Sequence, residues 1–141
     1  MNNPRVITNK WLENIINSIG TYTWFGQSKI TPPGIGVIWF TGEKKSKNLG
    51  WKLRLLQLDI YETENGEEEA DLFSIQVLNG IFGEDNTSGL VELPNLDDTN
   101  SNISYGNMVL RLQNNQGWIY VFDKNNPEKV HLCLTLNLEY K

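Results

Sequence analysis

The last twelve residues of the chain, VHLCLTLNLEYK, contain its single histidine, His131, and its single cysteine, Cys133. These two residue types form the base and nucleophile of thiol enzymes when their side chains lie within about 3 Å of each other. In a regular strand, residues two apart lie about 7 Å apart on the same face. We therefore predict that neither residue is catalytic and that Cys133 is an ordinary thiol beside a surface histidine.

The chain lacks the residue sets that most other common catalytic and metal sites require. One histidine and one cysteine do not supply the ligands of the usual zinc, iron–sulfur or haem sites. The chain has no serine nucleophile elbow and no glycine-rich phosphate loop. A catalytic pair of carboxylates, as in glycosidases, remains an alternative because the chain has 17 acids. A calcium site at 83–89 or 97–102 is a second alternative, although neither segment has the EF-hand order of ligands. We expect no metal, no cofactor and no enzymatic activity.

Length and composition predict one ordinary domain over residues 1–141. With 39% hydrophobic residues the chain is too apolar to be disordered, and its apolar runs are too short to cross a bilayer. The N-terminal segment does not resemble a secretory signal, and a lone cysteine suits a reducing compartment. We expect a cytoplasmic protein that does not associate with membranes.

Charge is unevenly distributed along the chain. Residues 55–110 hold twelve acids and no lysine or arginine, so the remaining residues carry a net charge of +7. This pattern predicts an acidic end and a basic end that could steer a charged partner, although a charged hairpin tip would explain the acidic run equally well. The candidate partner-binding residues are Glu67, Glu68 and Glu69 on the acidic side and Lys44, Lys45 and Lys47 on the basic side. With a pI near 4.8, we expect no nucleic-acid binding.

Composition and pattern together predict a mainly antiparallel all-β fold with one N-terminal helix. Ala70 is the only alanine, whereas β-branched, aromatic and asparagine residues abound. Apolar residues spaced as on a helix predict an α-helix over 8–19, which Gly20 ends. The predicted strands cover residues 21–30, 35–41, 50–62, 70–79, 88–93, 103–113, 117–123 and 129–140.

We expect these seven or eight strands to form a meander that closes, fully or nearly, into a small helix-plugged barrel of the lipocalin type. In segment 50–62, Leu53 and Leu55 occupy one face while Leu56 and Leu58 occupy the other. Such a pattern indicates either a β-bulge near Leu55 and Leu56, which helps a sheet to close, or a strand covered on both sides. The alternative fold is a β-sandwich.

Aromatic residues are the main candidates for ligand binding, because the chain has five tryptophans, five tyrosines and five phenylalanines. The candidate ligand-binding residues are Tyr22, Trp24, Trp39, Trp51, Trp118 and Tyr120. We expect a carrier of a small apolar or aromatic ligand that binds in an aromatic-lined interior. The alternatives are a protein–protein interaction module, such as an inhibitor, adaptor or assembly subunit, and a carbohydrate-binding domain. The sequence does not indicate an oligomeric state.

Overall fold

The structure is a computed structural model that describes residues 3–26, 29–63, 66–85, 88–94, 104–122 and 130–141. Two long helices are present, α1 (Pro4–Ile19) and α2 (Glu67–Phe82), with a short 3₁₀ helix at Gln113–Asn115. The strands are β1 (Thr23–Phe25), β2 (Gly34–Trp39), β3 (Lys44–Lys45), β4 (Lys52–Glu62), β5 (Leu90–Pro94), β6 (Ser104–Leu112), β7 (Ile119–Tyr120) and β8 (Val130–Tyr140). The predicted mostly β fold with an N-terminal helix is confirmed.

The eight strands form one mixed sheet in the order β1-β2-β4-β8-β6-β5. Strand β1 runs parallel to β2, and the other paired strands are antiparallel. The short strands β3 and β7 pair with β4 and β8, next to β2 and β6 respectively. Closure into a barrel is not shown, because no pairing joins β1 to β5 within the described ranges. A second sheet, as in a sandwich, is not formed by these strands either.

The two longest strands, β4 and β8, lie side by side at the centre of the sheet. Their pairing runs without a break from Lys52 opposite Tyr140 to Glu62 opposite Val130. The meander prediction was therefore wrong for the last strand, which pairs with β4 and not only with its neighbours in sequence. Of the two explanations for the leucine pattern in β4, the bulge was wrong, because the register does not shift near Leu55 and Leu56.

Both helices pack on one face of this sheet. Even-numbered residues of β4 and β8 point to that face, and those from Leu56 to Glu62 and from Leu132 to Tyr140 are buried, among them Leu58 and Leu134. They form a single apolar cluster with residues of α1 and α2. Odd-numbered residues of both strands lie on the opposite face, where most are half-buried. Leu132, Leu134, Leu136 and Leu138 of the last strand therefore all lie on the buried face.

Helix α1 begins one turn earlier than its apolar pattern predicted. The Asn3 side chain caps it by accepting a hydrogen bond from the backbone N–H of Arg5 at 2.9 Å, and Pro4 occupies the first turn. The helix ends at Gly20, whose φ of 82° lies in the left-handed region that glycine tolerates. Leu12 and Ile16 are fully buried, so the predicted stripe is the face that packs on the sheet.

Helix α2 replaces the predicted strand 70–79, which was wrong. Its buried residues recur at helical spacing: Ala70, Phe73, Ser74, Val77 and Ile81. Three glutamates in its first turn complement the partial positive charge of the helix N-terminus. The glutamate run is thus the start of a helix and not a hairpin tip. The residue composition of 70–79 suggested a strand, but packing of α2 against the sheet outweighs weak local propensities.

The remaining predicted strands occur but are mostly shorter. Among their described residues, segment 21–30 forms the three residues of β1 and segment 117–123 forms the two residues of β7. Strand β3 was not predicted. Residues 27–28, 95–103 and 123–129, which include parts of four predicted strands, lie outside the described residues. Neither α1 nor α2 combines the length and the apolar character that a membrane-spanning helix requires.

Truncating a buried leucine at the centre of the sheet tests the face assignment. Leu134→Ala should lower the free energy of unfolding by about 2–5 kcal/mol, because it opens a cavity in the core. Thr135→Ala, the neighbouring change on the half-buried face, should cost less than about 1 kcal/mol. Urea titrations of both variants measure the difference. Equal losses would show that the two faces are equally buried.

Candidate functional site

The outer face of the sheet carries a polar cluster centred on Asp59, which is only 1% exposed. His131 Nε2 lies 2.8 Å from Asp59 Oδ1, and the Gln57 amide donates to the same oxygen at 2.9 Å. The imidazole ring of His131 stacks on Tyr61 with 4.1 Å between ring centroids. Asp59 Oδ2 is buried and has no hydrogen-bond partner among the described residues. The histidine is therefore held by a carboxylate and an aromatic ring.

Cys133 lies directly opposite Asp59 in the β4–β8 register. Burial raises the pKa of the Cys133 thiol, and the nearby negative charge of Asp59 raises it further. Reactive cysteines need the opposite environment, in which a cation or a helix N-terminus stabilises the thiolate. This cluster therefore favours the protonated, weakly nucleophilic form of Cys133.

A second cluster forms a cleft of about 300 Å³ between α2 and the segment before β1. On one wall, the rings of Tyr22 and Phe73 stack with 4.0 Å between centroids. The Tyr22 hydroxyl donates to the Glu62 carboxylate at the end of β4. Burial raises the pKa of Tyr22 above its usual range, and the hydrogen bond to Glu62 and the charges of Glu62 and Glu69 raise it further. The cleft thus combines apolar walls with negative charge.

Gly66, the residue before α2, makes room for the Glu62 side chain. A Cβ at position 66 would lie 2.0 Å from Glu62 Cγ, far inside van der Waals contact. The other carboxylate oxygen of Glu62 accepts from the backbone N–H of Thr63 at 2.7 Å. The buried carboxylate is thereby fixed at the N-terminal end of α2, where negative charge is favoured.

The six aromatic residues predicted to bind a ligand are distributed over the molecule. Tyr22 lines the cleft just described, whereas Trp24, Trp39 and Trp118 pack against the core cluster. Trp51 is half-buried before β4. Tyr120 in β7 donates a hydrogen bond to Asp71 Oδ1 at 3.0 Å. Trp24, Trp39 and Trp118 therefore contribute to the core, whereas Trp51 does not.

The six charged residues predicted to bind a partner lie at opposite ends of β4. Lys44 and Lys45 form β3 beside the start of β4, and Lys47 follows in an exposed turn. The three glutamates, at 67–69, are exposed at the start of α2, just beyond the end of β4. These two groups of charged side chains therefore lie at opposite ends of β4.

An internal contact partly neutralises the basic end. Glu43 Oε1 lies 3.1 Å from Lys52 Nζ, and Glu43 Oε2 accepts a hydrogen bond from the Tyr140 hydroxyl at 2.8 Å. The hydrogen bond from Tyr140 and the contact with Lys52 lower the pKa of Glu43. Burial raises the pKa of Tyr140 to about 12. Lys52 is therefore engaged within the chain, whereas Lys44, Lys45 and Lys47 point to solvent.

No protein family model matches the chain, and no curated protein matches it. Within the described ranges, no three histidine, cysteine, aspartate or glutamate side chains are close enough together to hold a metal ion. The calcium alternative at 97–102 and residues 86–87 of the alternative at 83–89 lie outside those ranges. The function must therefore be inferred from the surfaces that the fold presents.

Two residues of these clusters were not identified by sequence reasoning. Asp59 stands between Leu58 and Ile60, so a single acid inside an apolar strand was the available signal. Glu62 follows Tyr61 at the end of the same strand and gave no signal beyond its charge. Their partners, His131 and Tyr22, are 72 and 40 residues away, a separation that no local pattern encodes.

The environment of Cys133 predicts how its reactivity depends on pH. Alkylation by iodoacetamide should have its midpoint above the ordinary thiol pKa of about 8.5, because the folded protein favours the neutral thiol. Asp59→Asn should lower this midpoint by removing the adjacent charge. Glu139→Gln is the control, because it removes a carboxylate from the same face about 20 Å along the strand. Rapid alkylation below neutral pH that His131→Gln abolishes would instead indicate an activated cysteine.

The contact between Gly66 and Glu62 predicts a specific destabilisation. Gly66→Ala should lower the free energy of unfolding by about 1–3 kcal/mol, because the new methyl group displaces a buried carboxylate. The backbone angles of Gly66, φ −96° and ψ 19°, suit alanine, so strain at φ does not contribute. Gly42→Ala is the matched control, since a Cβ there meets nothing within 4 Å. Indistinguishable denaturation midpoints for the two variants would contradict this account.

Proposed function

We propose that this protein is a protein–protein interaction module, an adaptor or a subunit of an assembly, which binds a partner along the edge of its sheet at β7. The observation that supports this proposal most directly is a run of exposed apolar residues at that edge. The run comprises Ile119, Tyr120, Val121 and Phe122, and Phe122 is 87% exposed. Exposed apolar groups at a strand edge are typical of a surface that another chain covers.

The backbone at this edge supports the same function. The backbone N–H of Val121 donates to the carbonyl oxygen of His131 at 2.9 Å, which extends the pairing of β7 with β8 by one residue. In the part of the chain that the structure describes, β7 pairs with β8 alone. Its outer side can therefore accept an added strand, whose main-chain hydrogen bonds would provide affinity and whose side chains would provide specificity.

Strand β7 is held in place before a partner binds. The hydrogen bond from Tyr120 to Asp71 attaches it to α2, and burial with this hydrogen bond raises the pKa of Tyr120. Pairing with Leu132 and Cys133 fixes its backbone. Because the edge is already ordered, less conformational entropy is lost when a partner docks.

The predicted small-ligand carrier and carbohydrate-binding domain have less support. A carrier would direct Trp24, Trp39 and Trp118 into one cavity, but these side chains pack against the core. We retain the expectation that the protein acts in the cytoplasm, where a single reduced cysteine is stable.

Native mass spectrometry of the protein purified from its own host tests this function. We expect a defined complex with a second polypeptide, and Ile119→Ser with Phe122→Asp should abolish it without lowering the thermal midpoint. Val6→Ser on α1 is the control, because Val6 is an exposed apolar residue distant in sequence from β7. A retained small molecule without any protein partner would contradict the proposal, as would a complex that the double variant leaves intact.

A further inference from the structure

The charged ends of this fold are too far apart to interact within one copy. Strand β4 has eleven residues, so about 33 Å separates its two ends. The basic turn, which we define as residues 44–50, lies at the start of β4. The cleft of Tyr22 and Glu62, called the acidic cleft from here on, lies beyond its end. Any attraction between these two surfaces must therefore act between molecules.

The basic turn is rigidly held. Ser46 and Trp51 are joined by a backbone hydrogen bond of 3.0 Å across the turn. The Ser46 hydroxyl and the Asn48 amide both donate to Glu139 Oε2, at 2.8 and 2.7 Å. Lys47 is exposed in this turn, where it borders a cleft with Arg111 and Glu139, and Leu49 two residues further on is fully exposed. A cation and an apolar side chain are thus presented together on a preorganised support.

The acidic cleft has the complementary chemistry. Its walls include Pro33 and Phe73, and Leu72 at its edge is 58% exposed. Glu62 places a buried carboxylate in the cleft, while Glu69 adds an exposed one. The described residues that line it include no lysine, arginine or histidine. A lysine with a nearby leucine matches this combination of negative charge and apolar wall.

We propose that the basic turn of one copy docks into the acidic cleft of a second copy, head to tail. Burial of Leu49 against Leu72 supplies apolar contact, and Lys47 beside Glu69 sets the register. The two surfaces differ, so each bound pair still has one free turn and one free cleft. Repetition of such a heterologous contact produces a ring if the rotation closes and a filament if it does not. This contact does not use β7, so it extends the proposed function with a second site.

Sedimentation velocity with two complementary variants tests the contact. The cleft variant carries Glu69→Gln and Leu72→Ser, and the turn variant carries Lys47→Gln and Leu49→Ser. We expect the wild type to self-associate with concentration and to dissociate as salt is added, because exposed charges are screened. Each variant alone should associate at least about tenfold more weakly. Mixed in equal amounts they should form a heterodimer and nothing larger, since only one intact turn and one intact cleft meet.

A matched control carries Glu84→Gln and Ile75→Ser, the same kinds of change at exposed residues outside those that line the cleft. It should self-associate like the wild type. Circular dichroism verifies that each variant is folded. If a variant unfolds, charge reversal replaces it: Lys47→Glu and Glu69→Lys should each prevent association alone and restore it when mixed.

Three results would overturn the head-to-tail contact: a wild type that is monomeric at every concentration, variants that associate as the wild type does, or a mixture that fails to form the heterodimer. The Ile119→Ser, Phe122→Asp variant separates this proposal from the β7 proposal. Its self-association should match that of the wild type even if its host partner is lost.

Discussion

The pairing of β4 with β8 is the constraint on which the rest of the structure depends. Eleven residues of each strand pair without a shift, so every even-numbered side chain of both strands points to the same face. Each fully buried leucine there contributes about 1.5–3 kcal/mol, and a slip of one residue would move all of them to the other face. On its other side β4 pairs with β2 and β3, and on its other side β8 pairs with β6 and β7. Both helices cover the apolar face that this pairing creates.

The same register determines what the polar residues can do. It places Asp59 opposite Cys133 and within contact of His131, so a carboxylate becomes buried at the centre of the sheet. Burial of an unpaired carboxylate is costly, and the contacts with His131 and Gln57 offset part of that cost. The histidine and cysteine at the end of the chain are therefore arranged around a structural acid. At the end of β4 the register leaves Glu62 facing Tyr22 and α2, which creates the acidic cleft.

The sequence predicts those elements whose local pattern and final packing agree. The alternation from Val130 to Tyr140 identified a strand and its buried face, and the stripe around Leu12 identified α1. Helix α2 was missed because Phe73, Ile75 and Val77 alternate as in a strand, while Phe73, Val77 and Ile81 also fit a helix; contact with the sheet decides between the two. Local alternation likewise assigns β4 and β8 their faces but does not specify that they pair, since the two strands are far apart in sequence.

The candidate site residues were likewise only partly predictable from the sequence. Tyr22 and the charged ends were identified from composition, whereas the Glu62 and Asp59 contacts depend on that distant pairing.

The separation of charge between the two ends of β4 does not stabilise a single folded copy. Electrostatic attraction decays over about 8 Å at physiological salt, and the basic and acidic ends are about 33 Å apart. Within the acidic end, Glu67, Glu68 and Glu69 repel one another and are only partly compensated by the start of α2. At the basic end, Lys44, Lys45 and Lys47 are exposed while Glu43 is already engaged by Lys52 and Tyr140. Such an arrangement costs the isolated chain some stability, and its favourable effect arises when another molecule brings opposite charge to either end. The helices fill one face of the sheet, and the two charged ends and the β7 edge are among the surfaces that remain available for recognition.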